Sequence, residues 1–123
     1  MKKLTIIGLA AFLCLTSVAE GVNSLNAPTN FQAVRSSDFI GHDFTVMSWT
    51  DNSSREEGYN VLRAELSNGF WGDWQVISQL PANSQSFTDY AVSHGVFYRY
   101  AVQAFRKNKV SGLSEVVVVV FLP

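Results

Sequence analysis

Apolar and polar residues alternate with a period of two along most of the chain after Ala27. In Phe44–Thr50 and Phe97–Arg106, large side chains recur at every second position, as they do in half-buried strands. β-branched and aromatic residues, which favour a pleated backbone, make up much of both runs. No window of ten or more residues after Ala19 has an apolar stripe at helical spacing. The pattern therefore predicts an all-β chain.

Clusters of turn-forming residues, among them Asp51–Ser54 and Ser67–Gly69, separate the strand-like runs. Seven short strands at this spacing are typical of an antiparallel sandwich of two sheets. The predicted strands are Asn30–Arg35, Phe44–Thr50, Gly58–Ala64, Trp74–Gln79, Ser86–Asp89, Phe97–Arg106 and Ser114–Phe121. Large side chains at their inward positions predict a core made of Trp49, Tyr59, Val61, Phe87, Tyr98, Tyr100 and Val102.

Four segments carry, in chain order, the pattern of a known domain. They are Pro28–Ala33 with its leading proline, Val46–Ser53 with its tryptophan, Glu56–Arg63, and Thr88–Asp89 followed by Gly95–Ala104. Together they resemble a fibronectin type III domain, in the form common in small exported bacterial proteins. The resemblance implies a seven-stranded immunoglobulin-like β-sandwich in which Trp49 is buried and Tyr98 closes a corner by bonding to upstream backbone.

The same resemblance implies a spacer and interaction module, of a kind often attached to enzymes that act on polysaccharides. Adhesive members of the family carry an Arg-Gly-Asp loop between the last two strands. Here the loop 106–112 lacks that motif, so integrin-type binding is not implied.

Residues 1–19 have the layout of a bacterial-type secretory signal peptide. After a positively charged start comes the uncharged run Leu4–Leu15, and small residues precede a cleavage site after Ala19. An uncleaved N-terminal anchor is the alternative, although a membrane span usually needs about 20 apolar residues. Cleavage would leave a polar tether at residues 20–27 and a domain at residues 28–122. We therefore expect an exported protein, periplasmic or secreted, with no membrane insertion once the signal is removed.

Composition and charge exclude several classes of function. The sequence has 9 Lys and Arg and 10 Asp and Glu, so it lacks the basic field that a sequence-independent nucleic-acid binder needs. Its one cysteine, Cys14, can form neither an intrachain disulfide nor a four-thiolate zinc site. His42 and His94 are expected in solvated loops, with no spacing typical of a metal site. We expect no metal and no cofactor.

No group of residues in the sequence resembles a catalytic site. Catalysis needs a nucleophile or base, an orienting partner and an oxyanion donor that converge. Asp51 and the pair Glu56–Glu57 come nearest to an acid and base, but they flank a strand and are expected to be solvated. There is no P-loop, no GxSxG and no GxGxxG motif. The sequence therefore predicts a protein that is not an enzyme.

Three aromatic residues lie within five positions of the predicted turn Ser67–Trp74, namely Phe70, Trp71 and Trp74. Rings held at a turn can stack on sugar faces or enter a pocket of another protein. Alternatively, Trp74 opens the next strand and packs inward, while Phe70 and Trp71 shield the edge of the core. Trp71 is expected to be the most exposed of the three.

Five consecutive valines precede Phe121 in the last predicted strand. Because alternate residues of a strand face opposite sides, Val116, Val118 and Val120 are expected to point away from the core. A long apolar strand at a sheet edge invites pairing with another chain. Cover by the tether or by neighbouring side chains is the alternative.

The sequence as a whole predicts a non-enzymatic exported module for protein binding or assembly. It would bind an unidentified protein, or a second copy of itself, through the last strand. The alternative is a carbohydrate-binding module that stacks polysaccharide on Phe70 and Trp71. Because the domain follows directly on the predicted signal, a free binding or assembly factor is expected rather than a spacer.

Overall fold

The computed structural model describes residues 25–122, and within them every regular element is a strand. Residues 1–24, which hold the predicted signal peptide and much of the predicted tether, lie outside the described residues. The prediction of an all-β fold is confirmed. The strands are β1 (Thr29–Ser37), β2 (Asp43–Thr50), β3 (Gly58–Ser67), β4 (Phe70–Trp71), β5 (Gln75–Pro81), β6 (Ser86–Asp89), β7 (Phe97–Arg106), β8 (Lys109–Val110) and β9 (Val117–Val120).

The strands form two antiparallel sheets whose inner faces share one core. The smaller sheet has the order β1-β2-β6. In the larger sheet β3 and β7 are the central pair, with β5 on the far side of β3 and β9 on the far side of β7. The short strands β4 and β8 extend two hairpins of that sheet. β5 and β9 are therefore the two edges of the larger sheet.

The described chain has nine strands rather than the predicted seven, because two hairpins continue to pair beyond their turns. Asn68 and Gly69 both have positive φ, 53° and 82°, as a tight two-residue turn requires, and Phe70–Trp71 then pairs with the end of β3. Lys107, with φ of 54°, begins the turn before β8. Strands of two residues carry no alternation signal, so the sequence pattern could not reveal them.

Side chains from both sheets fill the core. Six of the seven residues predicted for it are at most 4% exposed: Trp49, Tyr59, Val61, Tyr98, Tyr100 and Val102. Phe87 is partly buried and packs against that cluster. The Trp49 and Tyr59 ring centroids lie 5.9 Å apart across the two sheets, and Met47 and Phe31 complete the contribution of the smaller sheet.

Tyr98 closes the loop that leads into β7. Its hydroxyl oxygen accepts a hydrogen bond from the Ser93 N–H at 2.9 Å, which is the upstream backbone contact that the resemblance implies. Its ring meets Phe121 edge-on, with centroids 6.2 Å apart. The tyrosine therefore ties the β6–β7 loop to the end of the sandwich.

A buried polar network joins the two sheets. The Asp89 carboxylate, on β6, accepts hydrogen bonds from the Tyr100 hydroxyl and the Arg63 guanidinium, each at 2.8 Å. The Thr45 hydroxyl, on β2, lies 3.1 Å from the Tyr100 hydroxyl. Because each polar group has a partner, the free-energy cost of burying them is largely offset. The network fixes how the smaller sheet sits on the larger one.

Burial raises the pKa of two core tyrosines above the ordinary value. Desolvation is the largest cause for the pKa of Tyr100, where the Asp89 charge adds to the rise and the Thr45 bond opposes it. Desolvation is also the largest cause of the raised pKa of Tyr59, and the hydrogen bond that its hydroxyl donates to the Asp51 carboxylate raises the pKa further. Both tyrosines therefore stay protonated in the folded state at pH values where the unfolded chain ionises.

Replacing Trp49 with alanine is expected to lower the free energy of unfolding by about 3–5 kcal/mol, because it removes a large ring from a close-packed core. Urea denaturation followed by circular dichroism measures the loss. Phe39→Ala is the matched control, since this ring is fully exposed and its removal should change stability by less than about 0.5 kcal/mol. Equal stability losses in the two variants would contradict the assignment of Trp49 to the core.

The free energy of unfolding is expected to fall as the pH rises above about 10, because Tyr59 and Tyr100 then ionise only in the unfolded chain. Their folded pKa values are raised, so their contribution is complete below the unfolded pKa and is lost above it. Urea denaturation at a series of alkaline pH values measures the slope. Tyr100→Phe should remove up to about 1.4 kcal/mol per pH unit of that slope, because the phenylalanine ring has no ionisable hydroxyl.

Candidate functional site

The last strand begins later than the sequence predicts. Its pairing with β7 starts at Val117 rather than at Ser114. Before that point the Ser114 hydroxyl accepts a hydrogen bond from the Val102 N–H at 2.9 Å, and the Ser111 hydroxyl does the same for Ala104 at 2.9 Å. Serine hydroxyls thus replace backbone carbonyls as acceptors for two N–H groups of β7, while the Ser111 and Ser114 N–H groups still donate to β7 carbonyls, so this stretch follows β7 without forming a regular ladder.

The valines of the last strand alternate between the core and the outer face of the sheet. Val119 is 5% exposed and joins Phe121 in the core. Val116 and Val118 are 47% and 51% exposed, and Val120 is partly covered. Two of the three valines expected to point away from the core are therefore open to solvent.

The backbone on the outer side of β9 has no strand partner within residues 25–122. Even-numbered residues of β7 direct their backbone groups toward β9, as shown by the Val102 carbonyl, which accepts from the Ser114 N–H at 2.9 Å. Bonding directions alternate along an antiparallel strand. Val117 and Val119 therefore bond to β7, whereas the N–H and C=O of Val118 point to the open edge. We use the name β9 edge for the outward backbone of this strand together with the neighbouring side chains of Val116, Val118 and Val120.

β1 lies close to β9 without forming a ladder with it. The Glu115 carboxylate accepts a hydrogen bond from the Phe31 N–H at 3.2 Å. Backbone N–H groups, its own and that of Phe31, hold the pKa of Glu115 below its ordinary value. No backbone pairing between β1 and β9 follows this contact in the described part of the chain. The outward backbone groups of β9 therefore have no ladder partner among the described strands.

Arg99 holds two aromatic rings of the β3–β5 turn against the outer face of the larger sheet. Its guanidinium carbon lies 4.9 Å from the Trp71 ring centroid and 4.7 Å from that of Trp74. Arg99 alternates with the buried Tyr98 and Tyr100, so its side chain points away from the core. Cation–π attraction therefore draws both indoles onto the sheet. Trp74 lies on this outer face instead of packing inward.

Phe70 is the most exposed ring of the turn. It is 78% exposed, whereas Trp71 and Trp74 are partly covered. The prediction that Trp71 would be the most exposed is wrong, because the cation that covers it comes from another strand and leaves no mark in the local sequence. The turn thus presents one free aromatic ring to solvent.

Both histidines pair with aspartates. The His42 Nδ1 lies 3.1 Å from an Asp38 carboxylate oxygen, and the His94 Nε2 pairs with the Asp43 carboxylate. Across residues 25–122, no cluster of three or more His, Cys, Asp and Glu side chains could hold a metal ion. That stretch also contains no helix long and apolar enough to cross a membrane.

Glu56 is buried, contrary to the expectation that it is solvated. It is 8% exposed, and its carboxylate accepts a hydrogen bond from the Asn83 N–H at 3.0 Å. Asp51, considered with it as an acid–base pair, accepts from the Tyr59 hydroxyl. Each carboxylate is therefore engaged in holding a loop in place.

An open pocket of about 450 Å³ lies between the β2–β3 loop and the β7–β8 turn. The cationic side chains that line it are those of Arg55, Arg106, Lys107 and Lys109. This cluster of cations was not predicted from the sequence. Three of the four cations fall within Arg106–Lys109, a run of positive charge that is visible in the sequence. Arg55 is distant in sequence and is brought to the same pocket by the pairing of β3 with β7.

Comparison with known proteins identifies the fold. No protein-family model matches the sequence, and a search of curated proteins found no match. Among solved structures, an Fn3-like protein from Clostridium thermocellum matches with a TM-score of 0.58 and 24% identity, covering 83% of this chain and 96% of that one. The FN5 domain of Drosophila Lar matches with a TM-score of 0.63 and 17% identity, covering 81% of this chain and 99% of that one.

A matching region also occurs inside a larger enzyme. The crystal structure of the pectate lyase PelI from Erwinia chrysanthemi matches with a TM-score of 0.60 and 22% identity, over 76% of this chain but 28% of that one. At these identities the matches establish the fold. The resemblance found in the sequence is confirmed at that level.

Proposed function

We propose that this chain, which has the fibronectin type III fold, is a non-catalytic exported module that binds a protein by adding a strand to the β9 edge. The fibronectin type III domains that it matches are non-catalytic modules, which fits a role in contacts or linking. The proposal of export rests on the signal-like layout of residues 1–19.

The observation that carries this proposal is the unpaired backbone of β9 beside exposed valines. An incoming extended segment would exchange hydrogen bonds with the N–H and C=O of Val118, which supplies affinity. The exposed side chains of Val116 and Val118 would contact alternate residues of that segment, which supplies selectivity. Exposed edges of this kind are usually blocked by charge or proline, and neither occurs within β9.

A single incoming strand is the occupant that fits this edge best. β9 has four residues, so strand addition involves few hydrogen bonds and a contact area typical of transient complexes. An extended segment of a partner protein suits such a surface. Pairing of two β9 edges from two copies is the other outcome, which the concentration dependence of the molecular mass would reveal.

Val118→Lys is expected to reduce binding of the partner about ten-fold or more, because a charged side chain on an edge strand opposes pairing. The measurement is photo-crosslinking in the exported fraction, with the reactive group placed at Val116, followed by identification of the crosslinked protein. Sedimentation of the purified protein at rising concentration detects pairing between copies.

The matched control for Val118→Lys is Val76→Lys, on the opposite edge strand β5. Val76 is 52% exposed, so the change adds the same charge to the same sheet at similar cost. Crosslinking and self-association should survive Val76→Lys. Equal crosslinking yields from the two lysine variants would contradict strand addition at β9.

A second candidate function is carbohydrate binding at the aromatic turn. It is favoured by the 78% exposure of Phe70 beside the partly exposed Trp71, since free rings stack on sugar faces. Regions with a similar fold also occur within the structures of a β-1,2-glucanase and of a pectate lyase in complex with tetragalacturonic acid.

If sugars bind at the turn, polysaccharide should change the emission of Trp71, and Phe70→Ala should weaken binding roughly five-fold, the equivalent of about 1 kcal/mol of stacking. Fluorescence titration with β-glucan and pectate fragments measures the effect. Phe39→Ala, at an exposed ring of another turn, should leave the affinity unchanged. An emission spectrum that stays constant across both glycans would remove this candidate.

A further inference from the structure

Positive charge is concentrated at the end of the domain opposite the aromatic turn. The sequence has nine Lys and Arg residues, of which two, Lys2 and Lys3, precede residue 25. Four of the remaining seven line the open pocket described above, between the β2–β3 loop and the β7–β8 turn. The formal net charge of the whole sequence is -1, so this region is more positive than the chain as a whole. We call the pocket the basic pocket.

Backbone contacts fix the walls of the basic pocket. The Arg106 guanidinium donates to the Arg55 carbonyl at 3.4 Å. The Lys107 N–H donates to the Glu57 carboxylate at 2.9 Å. These two bonds tie the β7–β8 turn to the loop before β3, so the cationic side chains emerge from an ordered frame.

The four cations of the basic pocket have no ion-pair partner. In residues 25–122, no carboxylate oxygen lies within 4.0 Å of their charged nitrogens. Glu57 is the acidic residue that contacts this turn, and its carboxylate bonds to backbone N–H of Lys107. The neighbouring Glu56 is buried and bonds to Asn83. An excess of positive charge therefore remains around the pocket.

Two of the cations face each other across a strand pair. Arg106 and Lys109 are directly opposite in the register of β7 and β8. Like charges at such positions repel and destabilise the pairing. The adjacent Lys107 has φ of 54°, a conformation that asparagine or glycine adopts more readily. The hairpin therefore bears a cost that an anion between its cations would relieve.

We propose that the basic pocket binds an organic ligand with two or more oxyanion groups, such as a sugar bisphosphate or a short uronate. Guanidinium and ammonium groups together bind phosphate and carboxylate oxygens. The pocket volume of about 450 Å³ lies in the range of small-molecule sites. Leu25 and Val110 add apolar walls that a carbon skeleton would cover, which bare inorganic phosphate would not. This site is independent of the β9 edge.

The experiment titrates the protein at low salt with three probes: glucose 1,6-bisphosphate, trigalacturonate and inorganic pyrophosphate. Amide chemical shifts of Lys107 and Asn108 report binding, and thermal melting reports the change in stability. Saturable shifts are expected with an organic probe at lower concentration than with pyrophosphate. Whether the bisphosphate or the uronate binds more tightly identifies which oxyanion the pocket takes.

Lys109→Gln provides the decisive comparison. It should weaken binding about ten-fold or more, since it removes a pocket cation. It should also raise the melting temperature of the ligand-free protein at low salt, because it removes the repulsion of Arg106. Arg35→Gln is the control, since Arg35 is an exposed cation on β1 and outside the pocket.

Three results would overturn the proposal of an anion site. The first is equal weakening by Lys109→Gln and Arg35→Gln, which indicates general attraction to charge. The second is the absence of saturable shifts up to about 10 mM probe, which exceeds the affinity range of specific sites. The third is a lower melting temperature for ligand-free Lys109→Gln.

Discussion

The alternation of inward and outward residues along β7 determines the position of the neighbouring strands, loops and rings. Its inward side chains, including Tyr98 and Tyr100, form much of the core and anchor both the β6–β7 loop and the polar network between sheets. Its outward Arg99 draws the two indoles of the aromatic turn onto the sheet. Its backbone bonds to β3 on one side and to β9 on the other. A shift of β7 by one residue would reverse all of these placements.

The same constraint creates the surface to which we assign function. β7 can bond to only one side of β9; among residues 25–122, β1 lies near the other side and is tied there by the bond between Glu115 and Phe31, but forms no ladder with β9. The exposed valines and the unpaired backbone of Val118 therefore occur together as a consequence of the sheet order. The basic pocket lies where β7 ends, so the proposed anion site and the β9 edge can act separately.

Period-two alternation allowed the strands, the two-sheet fold and the burial of Trp49 to be predicted, because each is a local pattern with one packing solution. The placements that the sequence could not show depend on contacts between distant segments. Trp71 is covered by Arg99 of β7, and Glu56 is buried beneath the loop that holds Asn83. Arg55 lines the same pocket as Lys109 because the pairing of β3 with β7 brings their loops together. Such contacts follow from the assembled sheets and from no single run of residues.

Amide hydrogen exchange along the last strand of the free protein reports directly whether the β9 edge is open. We predict that the amides of Val117 and Val119, which bond to β7, exchange at least about a hundred-fold more slowly than that of Val118. Uniformly slow exchange from Val117 to Val120 would contradict it, because the edge would then already be paired.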